Sequence, residues 1–157
     1  MRGTWPVCCY TVADVNDKSG SLSESALAEA AARVLENLAE LEPELINAAI
    51  LDREGETVAA TSDSREWAEQ AAGLAMDLEA ASGPEKFDSA HIASAEGEVF
   101  VVSESGLSLV AVTGRFVLAA LTSYDMRMAL RDAARAGDTG EPGTISPEAE
   151  NGGSSDA

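Results

Sequence analysis

The chain has 157 residues, 45% of them hydrophobic and 24% charged, and a net charge of −18. That length suits one domain with its own core, without disulfide or metal staples. An acidic surface of this size repels phosphate backbones and anionic lipid, which argues against nucleic acid and membranes as main partners.

Residues 1–20 show no periodicity and read as a flexible N-terminus. They hold Cys8 and Cys9, whose adjacency would strain a mutual bridge and whose spacing offers no second ligand pair for zinc. A core free of cysteine fits a reducing cytoplasm. The opening MRGTWPVCCYTV has no small-residue cleavage pattern, and no apolar run approaches the ~20 residues of a membrane-crossing helix.

Ser21 and Glu24 have capping-box spacing, which predicts a helix from there to about Leu41. Leu27, Ala30, Ala31, Val34, Leu35, Leu38 and Leu41 recur every three or four residues and form its inner face. Pro43 ends it by pushing Glu42 toward extended geometry. Leu45–Asp52 then reads as a buried strand, a turn at Gly55 follows, and Thr57–Thr61 returns as a shorter strand. Asp63 and Glu66 repeat the capping spacing before a second helix that runs to about Ala81. Its polar residues form one narrow stripe. Trp67, Ala68, Ala71, Ala72, Ala75 and Met76 belong to an apolar face wider than one sheet surface requires.

Phe87–Ala95 reads as a weak strand with Ile92 its only strong β-former. Val99–Val102 and Leu107–Val112 form a hairpin around Gly106, apolar at nearly every position, so both faces are expected to be covered. The last helix is placed from about Leu118, with Leu121, Tyr124, Met128, Leu130 and Ala134 inward. The alternative is a sixth strand over Arg115–Leu121 before a shorter helix. Residues 137–157 hold five acids and no base among Gly, Pro and Ser, and read as a disordered acidic tail.

The resulting order is α-β-β-α-β-β-β-α, with short loops between consecutive strands. It implies an α+β fold: a five-stranded antiparallel sheet in a three-layer α/β/α stack. Over residues 21–136 the chain resembles the roadblock/dynein light-chain (roadblock/LAMTOR) family, whose bacterial members include regulators of small Ras-like GTPases, and the fold is roadblock/profilin-like. The resemblance rests on the LxELEPELINAAILDREGETVAAT stretch, the Ala-rich second helix, and EGEVFVVSE followed by LSLVAVT. Members often carry a glycine before the last helix's apolar run, where this chain has Leu118-Ala119-Ala120-Leu121.

The resemblance implies the first and third helices on one face of the sheet and the second on the other. It also implies a homodimer formed by pairing third strands edge to edge, with the second helices packed together. The residues offer the same surface. Phe87, Ala90 and Ile92 lie on a strand with no guarding Lys or Pro beyond Lys86, beside the wide apolar face of Trp67, Ala68, Ala71, Ala72, Ala75 and Met76. The competing reading is a monomer whose second helix is merely Ala-rich.

No catalytic, cofactor or metal constellation stands out. There is no GxxxxGK[ST] or GxSxG stretch, and His91, the single histidine, has no second histidine to work with. Arg127, Arg131 and Arg135 stand four apart on the last helix. They either complement its C-terminal dipole and pair with nearby acids, or form a docking stripe for an acidic partner or the acidic tail. The leading functional expectation is a non-enzymatic homodimeric scaffold or regulator binding a small Ras-like GTPase. The alternative is a small-molecule-sensing α/β domain.

Overall fold

The computed structural model describes residues 18–139. Its elements are α1 (Lys18–Leu41), β1 (Leu45–Leu51), β2 (Thr57–Ala60), α2 (Arg65–Ala81), β3 (Ser89–Ala93), β4 (Glu98–Glu104), β5 (Leu107–Thr113) and α3 (Ala119–Asp138). The expected order holds, and all strand pairings are antiparallel, in one five-stranded sheet ordered β2-β1-β5-β4-β3. The hairpin of β4 and β5 lies inside the sheet, as its continuous apolar runs demand. Ser105 and Gly106 both take positive φ, 55° and 79°, which matches the strand twist across a two-residue turn.

Alternation along the strands divides the core in two. Ile50, Phe100, Val102 and Leu109 pack with Leu35, Leu38, Met126 and Leu130 on the α1 and α3 side. Ala49, Leu51, Val101 and Val110 pack with Ala71 and Ala75 of α2 on the other. This is the three-layer stack.

Several local expectations require correction. Helix α1 starts at Lys18, so Ser21 and Glu24 lie inside it and do not cap its start. Ser64, not Asp63, caps α2, its hydroxyl accepting from the Trp67 amide at 3.3 Å. Leu41, expected on the inner face, is the last residue of α1 and is 67% exposed.

β3 spans only Ser89–Ala93. Phe87 precedes it and packs into the α2-side core. No strand forms over Arg115–Leu121, and α3 starts next to the expected position. Its inner face is rotated from the expected one, however. Leu130 is buried and Ala134 packs against the core as expected, but Leu121 and Tyr124 are exposed, and Thr122, Met126, Ala129 and Ala133 are buried. Small Ala129 and Ala133 let α3 pack closely, and the buried Thr122 hydroxyl donates to Glu42 Oε1 at 2.9 Å.

Both terminal boundaries move outward, since Lys18–Gly20 and Gly137–Asp138 are helical. The expectations for the remaining N-terminal residues, including Cys8 and Cys9, and for the rest of the acidic tail lie outside the described residues.

Candidate functional site

The candidate self-association surface comes from two elements, and the structure places its members differently. Strand β3 is an outer strand, and its free edge carries no Lys or Pro. Register sets Ala90 opposite Val101 and Ile92 opposite Val99, so both lie on the α2 side of the sheet. Ala90 is half-buried and Ile92 is 44% exposed. On α2, Ala71 and Ala75 face inward and are buried in the subunit's own core, so they are spent there. Trp67, Ala68 and Ala72 are half-buried, and Met76 is 57% exposed. The Trp67 indole N–H is buried and finds no acceptor among the described residues. The surface left over is thus narrower than the sequence suggested: one helix flank and one strand edge.

The arginine stripe is tied down within the chain. Arg127 donates to both carboxylate oxygens of Asp88, at 3.0 and 2.5 Å, and to the Ser89 hydroxyl at 3.3 Å. Its guanidinium also lies 3.6 Å from Glu104, which Arg131 approaches at 3.2 Å. Arg135 pairs with Asp132 at 3.5 Å. The stripe clamps α3 to the start of β3 and the end of β4, and this favours the pairing reading over the docking one. The Arg127 fork holds the Asp88 carboxyl below its ordinary range.

A second arrangement was not foreseen. His91 stacks on Phe100, with centroids 4.4 Å apart and planes 6° from parallel. Its Nε2 lies 2.6 Å from Glu98 Oε2, and the other Glu98 oxygen accepts from the Phe116 amide at 2.9 Å. Hydrogen bonds from His91 and from the Phe116 amide hold the Glu98 carboxyl below its ordinary range. Glu98 thereby pins the β5–α3 loop, where Phe116 takes φ of 70° and stands 85% exposed under the Arg115 guanidinium. A bulky residue in that backbone region is strained. The only cue in the sequence was Gly114-Arg115-Phe116, and nothing there connects it to Glu98, 18 residues earlier. His91 is satisfied structurally, as a strand histidine.

Two of the concavities among the described residues bear on a binding role. One is a basin of about 690 Å³ at the turn end of the sheet, lined by both hairpin turns and by Glu79, Lys86 and Phe87. The other is a groove of about 190 Å³ between α1 and α3. No described helix is long and apolar enough to cross a membrane. Among the described residues no group of three or more His, Cys, Asp or Glu is placed to hold a metal ion.

The sequence matches no protein-family model and no curated protein. Solved structures do match. A roadblock/LC7 domain from Streptomyces avermitilis superposes with a TM-score of 0.57 at 20% identity, covering 64% of this chain and 91% of that one. The gliding protein MglB from Thermus thermophilus gives 0.57 at 21% identity, covering 73% and 93%. An MglB solved in a tetrameric arrangement gives 0.59 at 20% identity, covering 74% and 93%. Element order, sheet order and these superpositions agree, and the chain has the roadblock/LC7 fold.

Proposed function

We propose that this chain is a non-enzymatic, homodimeric, cytoplasmic regulator that acts by recognising another protein, with a small Ras-like GTPase as the partner class. The observation that carries this reading is the unguarded β3 edge, with Ile92 44% exposed, together with the exposed Met76 flank of α2. Unpaired edge amides and carbonyls are a template for a second strand, and a second copy supplies one together with its own apolar flank. The shared fold with MglB, one form of which is solved as a tetrameric arrangement, supports self-association.

A recognition role is in keeping with the place of the one histidine, which is held between Phe100 and the Glu98 carboxylate and so serves the sheet and the β5–α3 loop.

Light scattering at several concentrations tests the first step. A dimer mass is expected, and a strict monomer across the range overturns the reading. Titration with purified small GTPases tests the second. Binding that depends on the bound nucleotide is expected; its absence across the class removes the GTPase as partner while leaving the dimer standing.

A further inference from the structure

We propose that the end of the α1/α3 layer, around the β5–α3 loop, docks a basic amphipathic helix of a partner protein. This surface is separate from the β3 edge and the α2 flank, and its occupant is independent of the dimer. Eight large apolar side chains stand exposed among the described residues, and five of them are Leu41, Phe116, Leu118, Leu121 and Tyr124. They come from two segments that the fold ties together. The Gly114 amide donates to the Glu44 carbonyl at 2.8 Å, and the Thr122 hydroxyl donates to Glu42. Leu41 and Asp125 line one groove between α1 and α3. A gathered apolar patch of this kind marks an interaction site, whereas single exposed residues do not.

One of the five is held in place for contact. Phe116 combines a φ of 70° with an exposed ring, and the Glu98 carboxylate fixes its amide at 2.9 Å. The subunit gains no burial from a ring kept out in water on a strained backbone. A partner does gain, because an anchor already in position loses less freedom when it docks.

The charges around the patch select the occupant. Residues 37–46 and 114–125 hold Glu40, Glu42, Glu44 and Asp125 against one cation, Arg115. None of these four carboxylates has a cation within 4.0 Å among the described residues. Arg115 lies over the Phe116 ring, 4.7 Å from its centroid. A second copy of this chain would set the same acids against themselves, so the complementary occupant is basic. Its shape follows from the two helices beneath. Thr122 of α3 meets Glu42 beyond the end of α1, and Gly137 of α3 lies beside Leu27, so α1 and α3 run antiparallel with a groove between them. Val34, Leu38 and Met128 give that groove apolar walls. A third helix fits there by its apolar stripe, with lysine or arginine on the flanks toward the acids.

The test is fluorescence anisotropy of the full chain with labelled peptides of about 14 residues. The first has leucines at i, i+3, i+4 and i+7 flanked by lysines. The second has the same composition with the leucines spread around the helix, and the third has glutamate in place of lysine. Saturable binding of the first is expected, about tenfold tighter than either control. Phe116→Gly keeps a backbone that accepts positive φ and removes only the ring, so binding should weaken about tenfold while the melt does not fall. Leu121→Ser should act alike, and it carries the test should Phe116→Gly lower the melt. Glu40→Gln with Asp125→Asn should weaken binding about fivefold and flatten its salt dependence. Removing two exposed acids from α2, by Glu69→Gln with Asp77→Asn, should change nothing. Equal binding of the second or third peptide, equal weakening by the α2 pair, or affinity that survives Phe116→Gly with Leu121→Ser overturns the proposal. A light-scattering mass lowered by those two substitutions would make the occupant a second copy and overturn it as well. A chain that binds the peptide as a monomer leaves this site standing and removes only the dimer.

Discussion

On the α1/α3 face of the sheet, Phe100, Leu35, Met126 and Leu130 are at most 2% exposed, under two helices lying side by side. On the opposite face one helix does the covering. Its core is built from Ala49, Ala71, Ala75, Val101 and Val110, and Ile92 and Met76 remain substantially exposed. The same strands supply both faces, so the difference does not come from β-propensity. It comes from how many helices are available: five strands are wider than one helix, and the margin near β3 is left bare. The face under α1 and α3 carries the larger core, while the α2 face leaves a sheet margin bare beside β3; on the first face the apolar surface left over lies on the helices and their loop, at Leu41, Phe116, Leu118, Leu121 and Tyr124.

The largest test of this contrast compares neighbours on β4 that point to opposite sides. Phe100→Ala should cost about 3–5 kcal/mol, because it empties a large buried site and unseats the His91 ring. Val101→Ala should cost about 2 kcal/mol. Urea unfolding of both variants measures the difference, and equal losses would mean that the two faces contribute alike.

Next in size is the clamp between α3 and the β3 end of the sheet. Arg127→Met should lower stability by about 1–2 kcal/mol, since it removes a bidentate pair and leaves Asp88 and Glu104 facing each other. A thermal melt that does not move would return the arginine stripe to a docking role.

The pH dependence should be smaller. Asp88 and Glu98 have folded-state carboxyls held below their ordinary values. Their contribution is present above the unfolded values of 3.8 and 4.5 and is lost as pH falls through the lower folded values. Glu98→Gln should therefore lower the melting temperature at neutral pH, and the gap to the parent should narrow as pH falls below 4.5. A gap that stays constant with pH would mean that Glu98 acts by packing alone.

The smallest effect on the subunit and the most telling for its association is Ile92→Lys. A charge on the open edge should change subunit stability by no more than about 0.5 kcal/mol. It should shift the light-scattering mass toward the monomer. An unchanged dimer would place the self-association surface elsewhere.

Period and punctuation made much of this molecule legible. The run at Leu45–Leu51 read as a buried strand, and those at Val99–Val102 and Leu107–Val112 as strands covered on both sides. Pro43, Gly55 and Gly106 marked where the chain turns, because these are local constraints on the backbone. Element order, the antiparallel sheet and the three layers followed from them.

Which side of a helix faces inward was a tertiary decision. Thr122 and Ala133 displaced Leu121 and Tyr124 from the inner face of α3 because close helix packing and the bond to Glu42 outweighed side-chain hydrophobicity. The same holds for Ala71 and Ala75, taken into the subunit's own core, and for Arg127, engaged by Asp88. Long-range pairs such as Glu98 with Phe116 and Arg53 with Gly106 leave no periodic trace. Sequence spacing encodes what a residue does to its own backbone, and only the folded chain sets which distant neighbour it meets.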